Sequence, residues 1–140
     1  MKIYLDNAAT TRLDERVFRA MKPYFDKQYG NASSIHYLGQ EAYLDLQKAK
    51  EMVAKLIGRA ESVVFTSGAS EANNLILKGV ALANQAKGNK IVVSNIEHPC
   101  VRESANELAR AGFQIAYAEV NKEGIVTPEA LEKVIDKETI

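Results

Sequence analysis

The stretch Val63-Val64-Phe65-Thr66-Ser67-Gly68-Ala69-Ser70-Glu71-Ala72-Asn73-Asn74 changes the grammar of the chain. A short β-branched and aromatic run, Val63 to Phe65, predicts a buried strand, Thr66-Ser67-Gly68 predicts a turn, and a helix is expected from about Ser70 to Gln85. Unpaired amides and the positive end of the helix dipole meet at such a junction, which favours an anion. Gly68 and Ala69 leave the backbone accessible, and the hydroxyls of Ser67 and Ser70 are candidate donors to a phosphate oxygen. The competing reading is an ordinary helix start capped by Ser67 or Ser70.

Outward from this point the same strand, turn, helix order recurs. Ile91 to Val93 lead through Ser94-Asn95 to a helix expected from Pro99 to about Ala111, and a third strand is expected from Phe113 to Val120. Thr127 is a candidate N-cap for a last helix, Glu129 to about Lys137, and Glu138-Thr139-Ile140 reads as the approach to a further strand. Upstream, Ile3 to Asp6 is read as extended, Asp14 as the N-cap of one helix reaching about Tyr29 and ended by Gly30-Asn31, and Ser34 to Gly58 as an amphipathic helix with Ala42, Leu46, Ala49, Val53 and Leu56 on one face. Alternating strands and helices predict an α/β fold with a mostly parallel sheet flanked by helices, its ligands beyond the carboxyl ends of the strands.

Composition excludes more than it assigns. The chain has 140 residues, a usual size for one domain, with 46% hydrophobic and 26% charged residues. No stretch approaches the roughly 18 apolar residues of a membrane span. Eighteen basic residues balance eighteen acidic ones, so no global field attracts nucleic acid or an anionic membrane. One cysteine, Cys100, permits no intramolecular disulfide, and the N-terminus lacks a secretory apolar run, so a cytoplasmic setting is expected.

His98, after the second strand and the polar Ser94, Asn95 and Glu97, is expected on the same rim as the first turn, where an imidazole stacks on a planar heteroaromatic ring, moves protons or plays a structural part. His36 lies in a loop and is the weaker candidate. Cys100 follows His98 by two residues, a spacing at which side chains at a helix start are expected to diverge, so a nucleophilic Cys/His pair is not favoured. One cysteine and two histidines lack the clustered spacing of metal ligands, and Walker and dinucleotide fingerprints are absent.

Three ordered segments resemble the cysteine desulfurase family of the class V aminotransferase group, within the fold-type I pyridoxal-phosphate enzymes. They are Tyr4-Leu5-Asp6-Asn7-Ala8-Ala9-Thr10-Thr11, Tyr29-Gly30-Asn31-Ala32-Ser33-Ser34-Ile35-His36, and Phe65 to Asn74 followed by Glu97-His98. The resemblance implies the N-terminal part of a fold-type I pyridoxal-phosphate-dependent transferase, incomplete by itself. Residues 1–13 would pack with a small domain or a dimer partner, and residues 14–140 would belong to the large cofactor-binding domain. It further implies that Ala69 and Ser70 hold the phosphate of pyridoxal 5'-phosphate, and that His98 stacks over the pyridine ring and assists proton transfer. Ser70 stands where the family often has threonine, and Ala32 where it often has proline.

The family's Schiff-base lysine, in a Ser-x-His-Lys setting, its ring-nitrogen aspartate and its sulfur-accepting cysteine are not among these residues, so the chain by itself is expected to be inactive. In the complete enzyme L-cysteine would yield alanine and an enzyme persulfide, whose sulfur serves iron-sulfur cluster or thiolated tRNA synthesis. The implied partners are a second copy or a complementary C-terminal chain, and a sulfur-acceptor or scaffold protein. A selenocysteine lyase or small aminotransferase sharing this half of the site, and a non-catalytic binding module, remain open alternatives.

Overall fold

The computed structural model describes residues 3–58 and 62–140. It divides into two compact units, Met1–Val64 and Phe65–Ile140.

The first unit is helical. Asp14 caps α1 (Glu15–Met21), its carboxylate accepting from the Arg16 amide at 2.7 Å. The single helix expected to reach Tyr29 is instead interrupted at Lys22, where α2 (Pro23–Asp26) begins. Pro23 has no amide proton to continue the ladder and its ring crowds the preceding turn, so it opens a new helix rather than extending the old one. The long helix α3 runs Tyr37–Leu56 with His36 at its N-cap. It starts three residues later than expected because Asn31 builds a turn: its Oδ1 accepts from the Ser33 amide at 2.9 Å and its carbonyl from the Ser34 amide at 2.9 Å. That turn lies tight on α3. A Cβ on Gly39 would stand 2.2 Å from the Ser34 carbonyl oxygen, and one on Gly30 would stand 2.1 Å from that of Leu38.

The second unit carries the sheet. Strands β1 (Lys90–Ser94) and β2 (Gln114–Ala118) pair in parallel, from Lys90 opposite Gln114 to Ser94 opposite Ala118. Parallel strands need a crossover, supplied by α5 (Pro99–Arg110). On the other edge of β1 the Lys90 amide donates to the Glu138 carbonyl at 2.9 Å and the Ile140 amide to that of Lys90 at 3.0 Å, forming a parallel bridge between Lys90 and Thr139. The expected approach to a further strand is present as this isolated bridge. Helix α4 (Ala69–Asn84) precedes β1, and Thr127 caps a short α6 (Pro128–Glu132), which ends well before Lys137. The buried strand expected at Val63 to Phe65 does not form. Strand structure needs backbone pairing, and no described residue pairs with this run; Val64 is 67% exposed.

Ile91 and Val93 alternate inward from β1 and meet Ala81 of α4, Ala105 and Leu108 of α5, and Phe113. Ala105 and Leu108 are three apart, hence on one helix face. Gly112, at φ +100°, closes α5: its amide donates to the Ala109 carbonyl and that of Phe113 to the Leu108 carbonyl, each at 3.0 Å. This pairing satisfies two orphan carbonyls and turns the chain so that Phe113 packs beside Leu108 at the entrance to β2.

Candidate functional site

Both candidate segments fall within the second unit. Ala69 and Ser70 are the first two residues of α4, with Gly68 at the N-cap; all three are exposed, and the N-cap makes no side-chain bond. The amides of Ala69 and Ser70 and the Ser70 hydroxyl have no acceptor among the described residues. Space above the turn is open, since a Cβ on Gly68 would meet no heavy atom within 4 Å. An anion arriving here would find two amides, a hydroxyl and the positive end of a 16-residue helix.

Ser67 is differently placed. Its amide donates to Oε2 of Glu71 at 2.6 Å and its hydroxyl to the same oxygen at 2.7 Å. The Ser67 hydroxyl, and then its amide, hold the Glu71 carboxyl below the usual glutamate range. The expectation that both serines face an anion is therefore corrected: Glu71 engages Ser67, and Ser70 alone keeps a hydroxyl available. Neither serine is the N-cap, a position taken by Gly68. A glutamate reaching back four residues resembles a capping box displaced by one position, and that spacing was the available signal.

The second cluster forms where β1 gives way to α5. The Asn95 amide extends the ladder to the Ala118 carbonyl at 3.0 Å, and the Ser94 hydroxyl donates to Oε1 of Glu97 at 2.8 Å. His98 is the N-cap of α5 and its ring is exposed. Nδ1 accepts from the Cys100 amide at 3.2 Å and lies 3.1 Å from Cys100 Sγ. The two side chains expected to diverge are thus in contact, because an extended N-cap residue folds its side chain back over the first turn. Nδ2 of Asn73, from the second turn of α4, donates to Cys100 Sγ at 3.2 Å and ties the starts of the two helices together. Asn73 and Cys100 were not singled out as site residues from sequence; nothing in their spacing from His98 announces a contact made between helices. His36 lies in the other unit, where its ring meets Tyr37 edge-on at 6.5 Å.

An open cavity of about 360 Å³ adjoins this cluster, bounded by Asn73, Leu77, Val92, Glu97 and Leu131. Its walls are mainly aliphatic, and neither Ser70 nor His98 lines it. No helix among the described residues is long and apolar enough to cross a membrane.

Fold and site together define an α/β protein with an open helix start and, beyond the carboxyl end of a parallel strand, a histidine that caps the next helix. The chain belongs to the aminotransferase class-V family, which matches residues 3–140. It is 44% identical over 140 residues to cysteine desulfurase IscS of Dictyoglomus turgidum, covering 99% of this chain and 36% of that protein. It is 40% identical to putative cysteine desulfurase IscS 1 of Bacillus subtilis, covering 37% of it. Among solved structures, a NifS-like protein superposes with a TM-score of 0.92 at 42% identity, over 99% of this chain and 38% of that one. The chain therefore spans a little over a third of the length of the relatives it matches, and its fold is the N-terminal part of theirs.

Proposed function

We propose that these residues form the phosphate anchor and ring-facing side of a pyridoxal 5'-phosphate site, in the N-terminal part of a cysteine desulfurase. The observation that carries this reading is the open start of α4, with the Ala69 and Ser70 amides and the Ser70 hydroxyl unengaged, held beside the His98 cap of α5 by the Asn73–Cys100 contact. The donor set fits a phosphate: it is neutral, convergent on a helix start and unobstructed. Glu71, the nearby carboxylate, is turned toward Ser67.

In this reading Ala69 and Ser70 hold the phosphate and fix the cofactor's position. His98 lies against the pyridine ring, excludes water from one face and manages a proton at its outer nitrogen. The cofactor supplies an electron sink for the substrate's α-carbon, chemistry that also requires a lysine outside these 140 residues. The substrate is L-cysteine, and the sulfur passes through a cysteine other than Cys100 to an acceptor or scaffold protein. The similarity to desulfurases at 40–44% identity supports this choice over other class V chemistries. Residues 1–13 cover a small domain or a dimer partner, consistent with Ile3 at 70% and Leu5 at 89% exposure. Balanced charge and one cysteine suit a cytoplasmic enzyme with no direct nucleic-acid role.

The test is complementation with a lysine-bearing C-terminal part of a relative. Release of alanine and sulfide from cysteine supports desulfuration, and release of alanine with selenide from selenocysteine alone would assign a lyase instead. Cofactor retention without either would mark a binding module.

A further inference from the structure

The three-residue relay Asn73, Cys100, His98 has a direction. A backbone amide only donates, so the Cys100 N–H, 3.2 Å from Nδ1 of His98, makes that nitrogen an acceptor. A neutral imidazole whose Nδ1 accepts carries its proton on Nε2. The thiol agrees with this. Asn73 Nδ2 donates to Sγ at 3.2 Å, and an S–H turned toward Nδ1, 3.1 Å away, would share that nitrogen's lone pair with the Cys100 N–H. The backbone under the thiol is held as well, because the hydroxyl of buried Ser104 donates to the Cys100 carbonyl at 2.8 Å.

We propose that Cys100, braced by Asn73, is a positioning residue that holds neutral His98 with its proton on Nε2, so that the exposed nitrogen is a hydrogen-bond donor. This rests on the reading of His98 as the ring-facing residue. It narrows what that residue does: outward it offers a proton or an N–H bond, whereas service as a base through Nε2 would need the other tautomer, with Nδ1–H set against the Cys100 N–H. Cys100 thereby has a part in the site with no sulfur chemistry of its own.

The test is the tautomer itself, read from solid-state ¹⁵N spectra of the histidine-labelled chain at mildly alkaline pH, which tolerate association of the sample. Only His36 and His98 carry label, and His36→Gln assigns them. The expected result is one His98 species, with Nδ1 at the unprotonated and Nε2 at the protonated end of the imidazole range. Cys100→Ala, which keeps the backbone N–H on Nδ1 and removes only the S–H, should shift both signals part of the way toward the free-imidazole average, Asn73→Ala should shift them less, and Cys100→Ser should restore the wild-type values. A mixed or Nδ1-protonated tautomer in the wild type would overturn the proposal, as would alanine variants whose signals do not move. Asn73→Ala stands in if Cys100→Ala does not fold. The readout needs no cofactor: failure of cofactor retention with the tautomer intact would sink the functional reading alone, and the reverse would sink this inference alone.

Discussion

One carboxylate oxygen of Glu71 accepts both the amide and the hydroxyl of Ser67, at 2.6 and 2.7 Å. Both bonds are stronger to the ionised carboxylate than to the neutral acid, so the lowered Glu71 value fixes a sign. Its contribution to stability is present above the ordinary glutamate value of 4.5 and is lost as pH falls through the lowered folded value. Glu71→Gln should therefore lower the urea midpoint of unfolding at neutral pH, and the gap to wild type should close under acid. A gap independent of pH would show that the ionised carboxylate is not what caps the turn.

Leu108 and Phe113, 3% and 4% exposed, pack together across the turn closed by Gly112. Leu108→Ala should cost about 2–5 kcal/mol in chemical denaturation. Leu75→Ala, at a site 53% exposed, should change stability by less than about 0.5 kcal/mol. Gly112→Ala should cost about 1 kcal/mol or more, because its φ of +100° is unfavourable for a residue with a Cβ.

Helix α4 presents Leu75, Ile76, Val80 and Leu82, each between 48% and 60% exposed, and β1 has an edge paired only at Lys90 among the described residues. Exposed apolar surface and open strand edges promote association. By itself the 140-residue chain should elute from size exclusion above monomer mass in a concentration-dependent way. A stable monomer at all concentrations would contradict this.

Ser70 has the unengaged hydroxyl at the start of α4, the phosphate anchor of the proposed function. In the complemented enzyme Ser70→Ala removes one charge-assisted hydrogen bond, about 1.5–3 kcal/mol, and should weaken cofactor affinity at least tenfold by equilibrium dialysis. Ser70→Thr should preserve it. Cys100→Ser should leave turnover nearly intact, because the hydroxyl replaces the thiol as donor to His98.

Elements with local signals were legible in the sequence. Asp14 and Thr127 announce caps, the α3 face repeats at helical spacing, and the β-branched run at Ile91 to Val93 forms the predicted strand. What failed depends on partners or on single atoms. Val63 to Phe65 carries the composition of a strand, but pairing is supplied from elsewhere in a fold, and propensity does not provide it. Pro23 breaks a helix whose apolar spacing ran through it. Around the candidate site, the starts of α4 and α5 follow from local sequence, whereas the engagement of Ser67 by Glu71 and the reach of Asn73 to Cys100 are side-chain geometries that residue spacing underdetermines.

The most direct test of the central claim is the visible absorbance of this chain after mixing with pyridoxal phosphate and the lysine-bearing part of a relative. The account predicts a complex that keeps a yellow cofactor band through gel filtration, weakened by Ser70→Ala. A well-formed complex that retains no cofactor, or one indifferent to Ser70→Ala, would contradict the assignment of the α4 start as the phosphate anchor.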